Sequence, residues 1–298
     1  MSSLLLNQEE YIKKAEELVN SIGIPSQPQI VLDINKEINK PDADLRKIAD
    51  IVSRDVAMSA KLLKIANSPF FGLREEVDSI QRALSLLGLK NFNNIILASS
   101  LRETLDAQNP VLEKFWNHSM ATALISLHIA KKVIYPSVDQ AYIAGLFHDC
   151  GIPFILKKFP GYSEIADYAM SIVGTEALSG RTKSIIGIED ERYNTHHCAV
   201  GYLVAKSWRL SNPVCQSIWY HHYVNIDTHN DASTRRLTAI LLLADYISSY
   251  LVYLAGGKCP VDTEQEWAKI HKKVLFELSL TVENIKDLRE DFTEKLYG

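Results

Sequence analysis

One run limits what this chain can be: Leu237–Leu254, LTAILLLADYISSYLVYL, eighteen almost wholly apolar residues with a carboxylate at their centre. Eighteen residues is the low end for crossing a bilayer, and an acid at mid-span is costly. No second such run exists in the chain. The run therefore reads as a buried helix of a water-soluble protein, with Ser233 or Thr234 available as its N-cap. An ionised carboxylate in that setting costs several kcal/mol unless a cation or hydrogen-bond donors meet it. No lysine or arginine lies within one turn of Asp245, so a metal ion or a histidine is its expected partner.

A second stretch poses the same question. Ala141–Ile152, AYIAGLFHDCGI, is an apolar helix starting near Asp139 that ends in His148-Asp149 before Gly151 stops it. Histidine and aspartate are both metal-ligand types, and neighbours at a helix end can point at one ion.

The first half shows helical spacing and no convincing period-two alternation. Tyr11, Ile12, Ala15, Leu18 and Val19 mark one helix, and a second runs from Gln29 to Asn39. Asp42 or Asp44 caps a third, striped by Leu45, Ile48, Ile51 and Val52. Asp55 opens a fourth, with Val56, Ala60, Leu63 and Ala66 on one side. Asn67-Ser68-Pro69 ends it ahead of an aromatic corner, Phe70-Phe71-Gly72. Two more helices, Ser79–Leu87 and Asn91–Asp106, are separated by Gly88. Residues 44–66 have the outline of a helix-turn-helix, but their basic residues are matched by nearby acids. With a net charge of −4, the chain has no nucleic-acid footprint.

Asn109-Pro110 marks a boundary. Beyond it, Val111–Ile134 carries His118 on an apolar stripe with Phe115, Thr122, Ile125 and Ile129. Tyr162–Val173 reads as helix, Ser179-Gly180-Arg181 as loop and Glu189–Arg192 as a solvated acidic cluster. A helix starting near Thr195 carries His196 and His197, and its period does not choose between them. Asn212-Pro213 starts another helix, as cap and first-turn proline, which closes at His221-His222. The tail, Asp262–Tyr297, reads as two amphipathic helices. The N-terminus lacks the basic region of a signal peptide. Four cysteines at irregular spacing form no CxxC pair, which fits a reducing, cytoplasmic setting.

These residues fall in a recognisable order: His118, His148-Asp149, His197, His221-His222, Asp245. That order resembles the metal-binding signature of the HD superfamily. In more detail the chain resembles the HDOD family, the HD-related output domains of bacterial signalling. The likeness is carried by IPSQPQI, Asp55 with its apolar helix, ANSPFFG and SIQRALSLLG. Further on come FWNHS, GLFHDCG, HHCAVGYLVAKSW and the paired histidines after IWY. It runs from about residue 22 to about 255.

The resemblance implies an all-α fold: an N-terminal helical HDOD subdomain, 1–109, and an HD-like helical bundle with C-terminal helices, 110–298. It implies a signalling output protein that works by contact with an unidentified signalling partner, neither at a membrane nor on nucleic acid. By the same resemblance, His118, His148, Asp149 and Asp245 hold one metal, and Asp149 bridges to a second held by His197, His221 and His222. Mixed histidine and carboxylate ligands suit iron, manganese, nickel or zinc, as one or two ions. Many members have lost some of these ligands, whereas this chain keeps the set.

Such a centre would serve a metal-dependent phosphohydrolase or phosphodiesterase acting on a nucleotide or cyclic dinucleotide, and that is the alternative function. The related HD-GYP phosphodiesterases carry a lysine shortly after their HD pair. Here Gly151-Ile152-Pro153 follows, and the nearest lysines are Lys157 and Lys158. The GYP loop is also absent, because Gly201-Tyr202 runs into Leu203. No catalytic residue is assigned from the sequence.

Overall fold

The computed structural model describes residues 2–23, 28–67, 76–104, 110–165, 185–223, 226, 231–254 and 261–297. Among them there are helices and turns and no strand, as the periodicity implies. None of these helices is long and apolar enough to cross a membrane. The Phe70-Phe71-Gly72 corner, the Ser179-Gly180-Arg181 loop and the helix expected beyond Ile165 lie outside the described residues.

The chain forms two compact units, Pro25–Ala107 with Thr293–Gly298, and Met1–Ile24 with Gln108–Phe292. The first is built from α2 (Gln29–Ile38), α3 (Leu45–Ser53), α4 (Val56–Ala66) and α5 (Ile80–Thr104). Capping side chains set the helix starts. Asp44 accepts from the Arg46 N–H at 2.9 Å, and Asp55 from the Met58 N–H at 2.9 Å. Each satisfies an N–H that has no partner within its helix.

The buried stripes differ from the expected ones. On α3, Ile48, Ala49 and Val52 are inside while Leu45 is exposed. On α4 the inner residues are Met58, Leu62 and Ala66, and Val56 is out in solvent. Each four-residue spacing repeats one turn along either of two apolar strips. The partner helix, not the period, chose between them. Inside α5, Gly88 sits at φ 75° and ψ 155°, breaking the helix where the sequence placed the gap. A left-handed φ of that kind favours glycine.

The second unit is a bundle around α6 (Pro110–Lys132), α7 (Val138–Phe147) and α12 (Ala232–Leu254), which pack on one another. Every residue of α7 from Ala141 to Phe147 is buried. Such an all-round apolar helix belongs at the centre of a bundle. Around it lie α8 (Ile152–Lys158), α9 (Ile185–Tyr193), α10 (His197–Ser207) and α11 (Asn212–Tyr220), then α13 (Val261–Leu278) and α14 (Val282–Tyr297). The opening helix, α1 (Ser2–Ile22), packs against α10 and α8 in this unit.

Three helix starts are corrected by the structure. Asp231 caps α12, accepting from the Ser233 and Thr234 N–H groups at 3.3 and 2.9 Å. The N-cap of α11 is Ser211, so Asn212 and Pro213 are already helical. The N-cap of α10 is His196, so the helix begins at His197, two residues after Thr195. Cys150, Cys198 and Cys215 are buried and form no disulfide.

Candidate metal centre

Five helices deliver the seven residues to one place. His118 comes from the middle of α6, and Asp245 from the middle of α12. His148 is the C-cap of α7, with Asp149 next, in the turn before α8. His197 is the first residue of α10, and His221-His222 closes α11. Two groups result, each with ligand atoms within 4.8 Å of one another. One is Asp149, His197, His221 and His222, and the other is His118, His148 and Asp245.

Close backbone contact brings the histidine–aspartate turn to α10. A Cβ added to Gly151 would lie 2.1 Å from the His197 carbonyl oxygen and 2.8 Å from the Gly201 nitrogen. Glycine is what lets the two backbones cross there, and the crossing sets His197 beside Asp149. Its Nε2 is 3.4 Å from Asp149 Oδ1, and that of His221 is 3.2 Å from the same oxygen. His148 Nε2 lies 3.0 Å from Asp149 Oδ2. Asp245 Oδ1 is 3.0 Å from His118 Nε2 and 3.8 Å from His148 Nε2. Asp149 is therefore the hub, and Asp245 has found the histidine partner that its apolar helix demands.

Partners on the far side fix the orientation of four of the five rings. His148 donates its Nδ1–H to the Gly145 carbonyl at 2.7 Å, and His221 donates its own to Ile218 at 2.7 Å. His197 donates its Nδ1–H to Glu189, 2.8 Å to Oε2 and 3.0 Å to Oε1. His118 Nδ1 is 3.2 Å from the Ser248 hydroxyl, one turn beyond Asp245 on α12. A neutral imidazole bonded this way turns a lone pair inward at Nε2.

The consequence is a meeting of acceptors. His197 Nε2 and His221 Nε2 stand 3.2 Å apart, both facing a carboxylate oxygen. The buried Nε2 of His148 makes no hydrogen bond, although Asp149 Oδ2 lies 3.0 Å away. Lone pairs and carboxylates aimed at one point are satisfied by a cation. The donors are three imidazoles and a carboxylate in one group and two imidazoles and a carboxylate in the other, a mixture that fits a divalent transition ion. Two helix C-termini, those of α7 and α11, also turn their negative ends to this point.

Charge states follow the same logic. Burial opposes ionisation of Asp149, but His148, His221 and His197 outweigh it and hold the carboxyl well below its ordinary range. Asp245 is likewise brought down to about 2, burial being overcome by His118 and His148. Burial and the neighbouring His222 push His221 down to about 3, which keeps its ring neutral and able to ligate. For His148, burial disfavours the charged ring, yet Asp149 and Asp245 prevail and raise its pKa. The side chains of Asp149 and Asp245 remain 14% and 22% exposed, so the centre opens to solvent on that side.

One of two adjacent histidines belongs to the centre. His197 is in it, and His196 is not. The His196 ring caps α10 by accepting from the Ala199 N–H at 3.2 Å, and it packs edge-on against Tyr11 and Trp219. Glu189 is the residue that sequence reasoning missed. Expected in solvent with its acidic neighbours, it is fully buried. Its carboxylate also accepts from the His197 backbone N–H at 3.0 Å and from the Tyr162 hydroxyl. Glu191 and Arg192 are exposed as expected. A lone acid in a charged run gives no local sign of which member turns inward.

The family profile described as the HDOD domain matches residues 24–224. The chain belongs to the HDOD family. Among relatives of this HDOD chain, an uncharacterised protein of Treponema pallidum is 27% identical over 217 residues. The match covers 72% of this chain and 41% of that protein. The cyclic di-GMP phosphodiesterase CdgJ of Vibrio cholerae is 20% identical over 157 residues, half of this chain and 36% of that one. The HDOD chain thus spans well under half the length of either relative. A crystal structure of an HDOD domain protein of unknown function from Geobacter sulfurreducens shares the fold. It has a TM-score of 0.67 and 24% identity, over 97% of this chain and 99% of that one.

Proposed function

We propose that this HDOD protein is a metal-dependent phosphohydrolase that acts on a phosphoester in a bacterial signalling setting, with a nucleotide or cyclic dinucleotide as the substrate class. The observation that carries the reading is the convergence of His118, His148, Asp149, His197, His221, His222 and Asp245 from five helices. A ligand set that had lost its use would have no reason to keep three inward-facing Nε2 atoms oriented from behind. One or two ions of iron, manganese, nickel or zinc held there would supply Lewis-acid stabilisation of charge on a phosphoryl group.

The protein's own part is positional and electrostatic. Asp149, charged and shared between the two groups, sets the spacing of whatever is bound. His148, His197 and His221 are fixed by their Nδ1 partners, so little reorganisation remains to be met during reaction. Burial on the α7 side excludes water, while the partly open Asp149–Asp245 side admits substrate. The likeness to CdgJ supports a phosphodiester as a substrate to try first. A cytoplasmic setting suits buried cysteines that form no disulfide.

A second reading is a regulator that acts by contact with another signalling protein. It is favoured by the residues after the HD pair. Gly151, Ile152 and Pro153 are all buried, and Lys157 and Lys158 are exposed at the far end of α8. The position where HD-GYP enzymes offer a lysine to phosphate is thus apolar.

The test is elemental analysis of protein purified without an affinity metal, beside Asp149→Ala, followed by turnover assays. The assays use bis(p-nitrophenyl) phosphate, cyclic dinucleotides and linear nucleotides with iron, manganese or nickel supplied. Metal retained by the wild type, lost in Asp149→Ala and coupled to hydrolysis is the expected result. A protein that refuses added metal, or takes it and hydrolyses nothing, overturns the proposal and leaves the contact reading.

A further inference from the structure

The two ligand groups are not supported alike from behind. His148 and His221 give their Nδ1–H to neutral backbone carbonyls, and His118 meets a neutral hydroxyl. His197 gives its Nδ1–H to a carboxylate, that of Glu189. A hydrogen bond to a charged acceptor is about twice as strong as a neutral one. Partial transfer of the proton's charge toward Glu189 also makes Nε2 a better electron donor to an ion.

Glu189 is itself over-determined. Its side chain is completely buried, where an unpaired carboxylate would be strongly destabilising. One oxygen takes the His197 backbone N–H at 3.0 Å, the other takes the hydroxyl of the buried Tyr162, and both lie within reach of the His197 ring. Backbone and side chain of His197 are therefore gripped by the same carboxylate. The left-handed Asn194, at φ 55°, turns the chain between α9 and α10 so that this can happen.

We propose that Glu189 is a positioning residue of the metal centre, which through His197 makes the Asp149–His197–His221–His222 group the tighter of the two ion sites. The inference rests on the metal-centre reading above. A rival account gives Glu189 a purely structural task, anchoring the positive N-terminus of α10, and the two accounts separate experimentally.

The full chain, stripped with a chelator, is titrated with cobalt(II) alone and followed by its visible absorption. Three proteins are compared: wild type, Glu189→Gln and Glu189→Asp. Glutamine keeps the size and can still accept from His197 while donating to Tyr162, but has no charge. Aspartate keeps the charge but withdraws it by one methylene. The expected order of affinity at the tighter site is wild type, then Asp, then Gln, with the Gln variant weakened about 10- to 100-fold. Any second equivalent should bind as in the wild type.

A purely structural role would lower the melting temperature of the metal-free Gln variant and leave its cobalt affinity and spectrum unchanged. That result overturns the inference, whether the wild type binds one equivalent or two. Wild-type protein that takes up no cobalt overturns the metal centre itself and the inference with it. If Glu189→Gln does not fold, Glu189→Asp carries the test, and wild-type cobalt affinity in a folded Asp variant overturns the proposal.

Discussion

Gly151→Ala is the sharpest probe of how the centre is assembled. The backbone of Gly151 has φ −73° and ψ −26°, an ordinary conformation for alanine, so backbone strain is not at issue. The new methyl carbon would stand 2.1 Å from the His197 carbonyl oxygen, 2.8 Å from the Gly201 nitrogen and 2.9 Å from the His197 carbonyl carbon. All three are backbone atoms, so no side chain can rotate away. Reaching even 3.0 Å requires α8 and α10 to separate by about 0.9 Å. Forced overpacking of this kind costs about 1–3 kcal/mol or more, and the absence of a flexible neighbour argues for the upper end. At roughly 2–4 °C per kcal/mol for a unit of this size, the metal-free protein should melt about 6–12 °C lower. The same separation moves His197 away from Asp149, so cobalt affinity should fall as well. The assay is thermal unfolding by circular dichroism alongside cobalt titration, with Gly161→Ala as control. A Cβ at Gly161 meets nothing within 4 Å. Gly151→Ala melting within a degree of wild type and binding cobalt equally would refute the argument that a glycine crossing builds the site.

Three further outcomes are expected. Where the protein takes up two ions, Asp245→Asn should abolish binding at His118 and His148 while sparing the His197 group, so metal content by elemental analysis falls by one equivalent per chain. His196 is buried, and burial, only partly countered by Glu189, depresses its pKa to about 4 from 6.5. A depressed value means that the unfolded chain binds the proton first. The stabilising contribution is thus complete above pH 6.5 and lost as pH falls toward 4, by up to about 3 kcal/mol. His196→Asn can still cap α10, and it should flatten that part of the stability–pH curve in metal-free protein; an unchanged slope counts against the assignment. In the smaller unit, Leu62→Ala should destabilise by about 2–5 kcal/mol because Leu62 is fully buried. Partly buried Leu63, on the stripe favoured by the sequence, should cost less when truncated. Denaturant melts of the two variants decide between the stripes.

By itself the sequence determined the class of fold, most helix positions and all seven ligand candidates. It could do so because these signals are local: helical period, a capping aspartate at 55 and another at 42 or 44, a break at Gly88, and a carboxylate that no nearby cation could serve. The ordered motif of the family did the rest, choosing His197 over His196 where the period could not. Only the tertiary structure decided which strip of α3 and α4 faces inward, since that depends on the helix packed against it. It alone put Gly151 against His197 and brought Glu189 inside. Both depend on contacts between residues far apart in the chain or across a turn, where an acidic run reads as solvent-facing. A buried carboxylate is made acceptable by partners that fold topology brings, here Tyr162 and His197, and no pattern around Glu189 announces them.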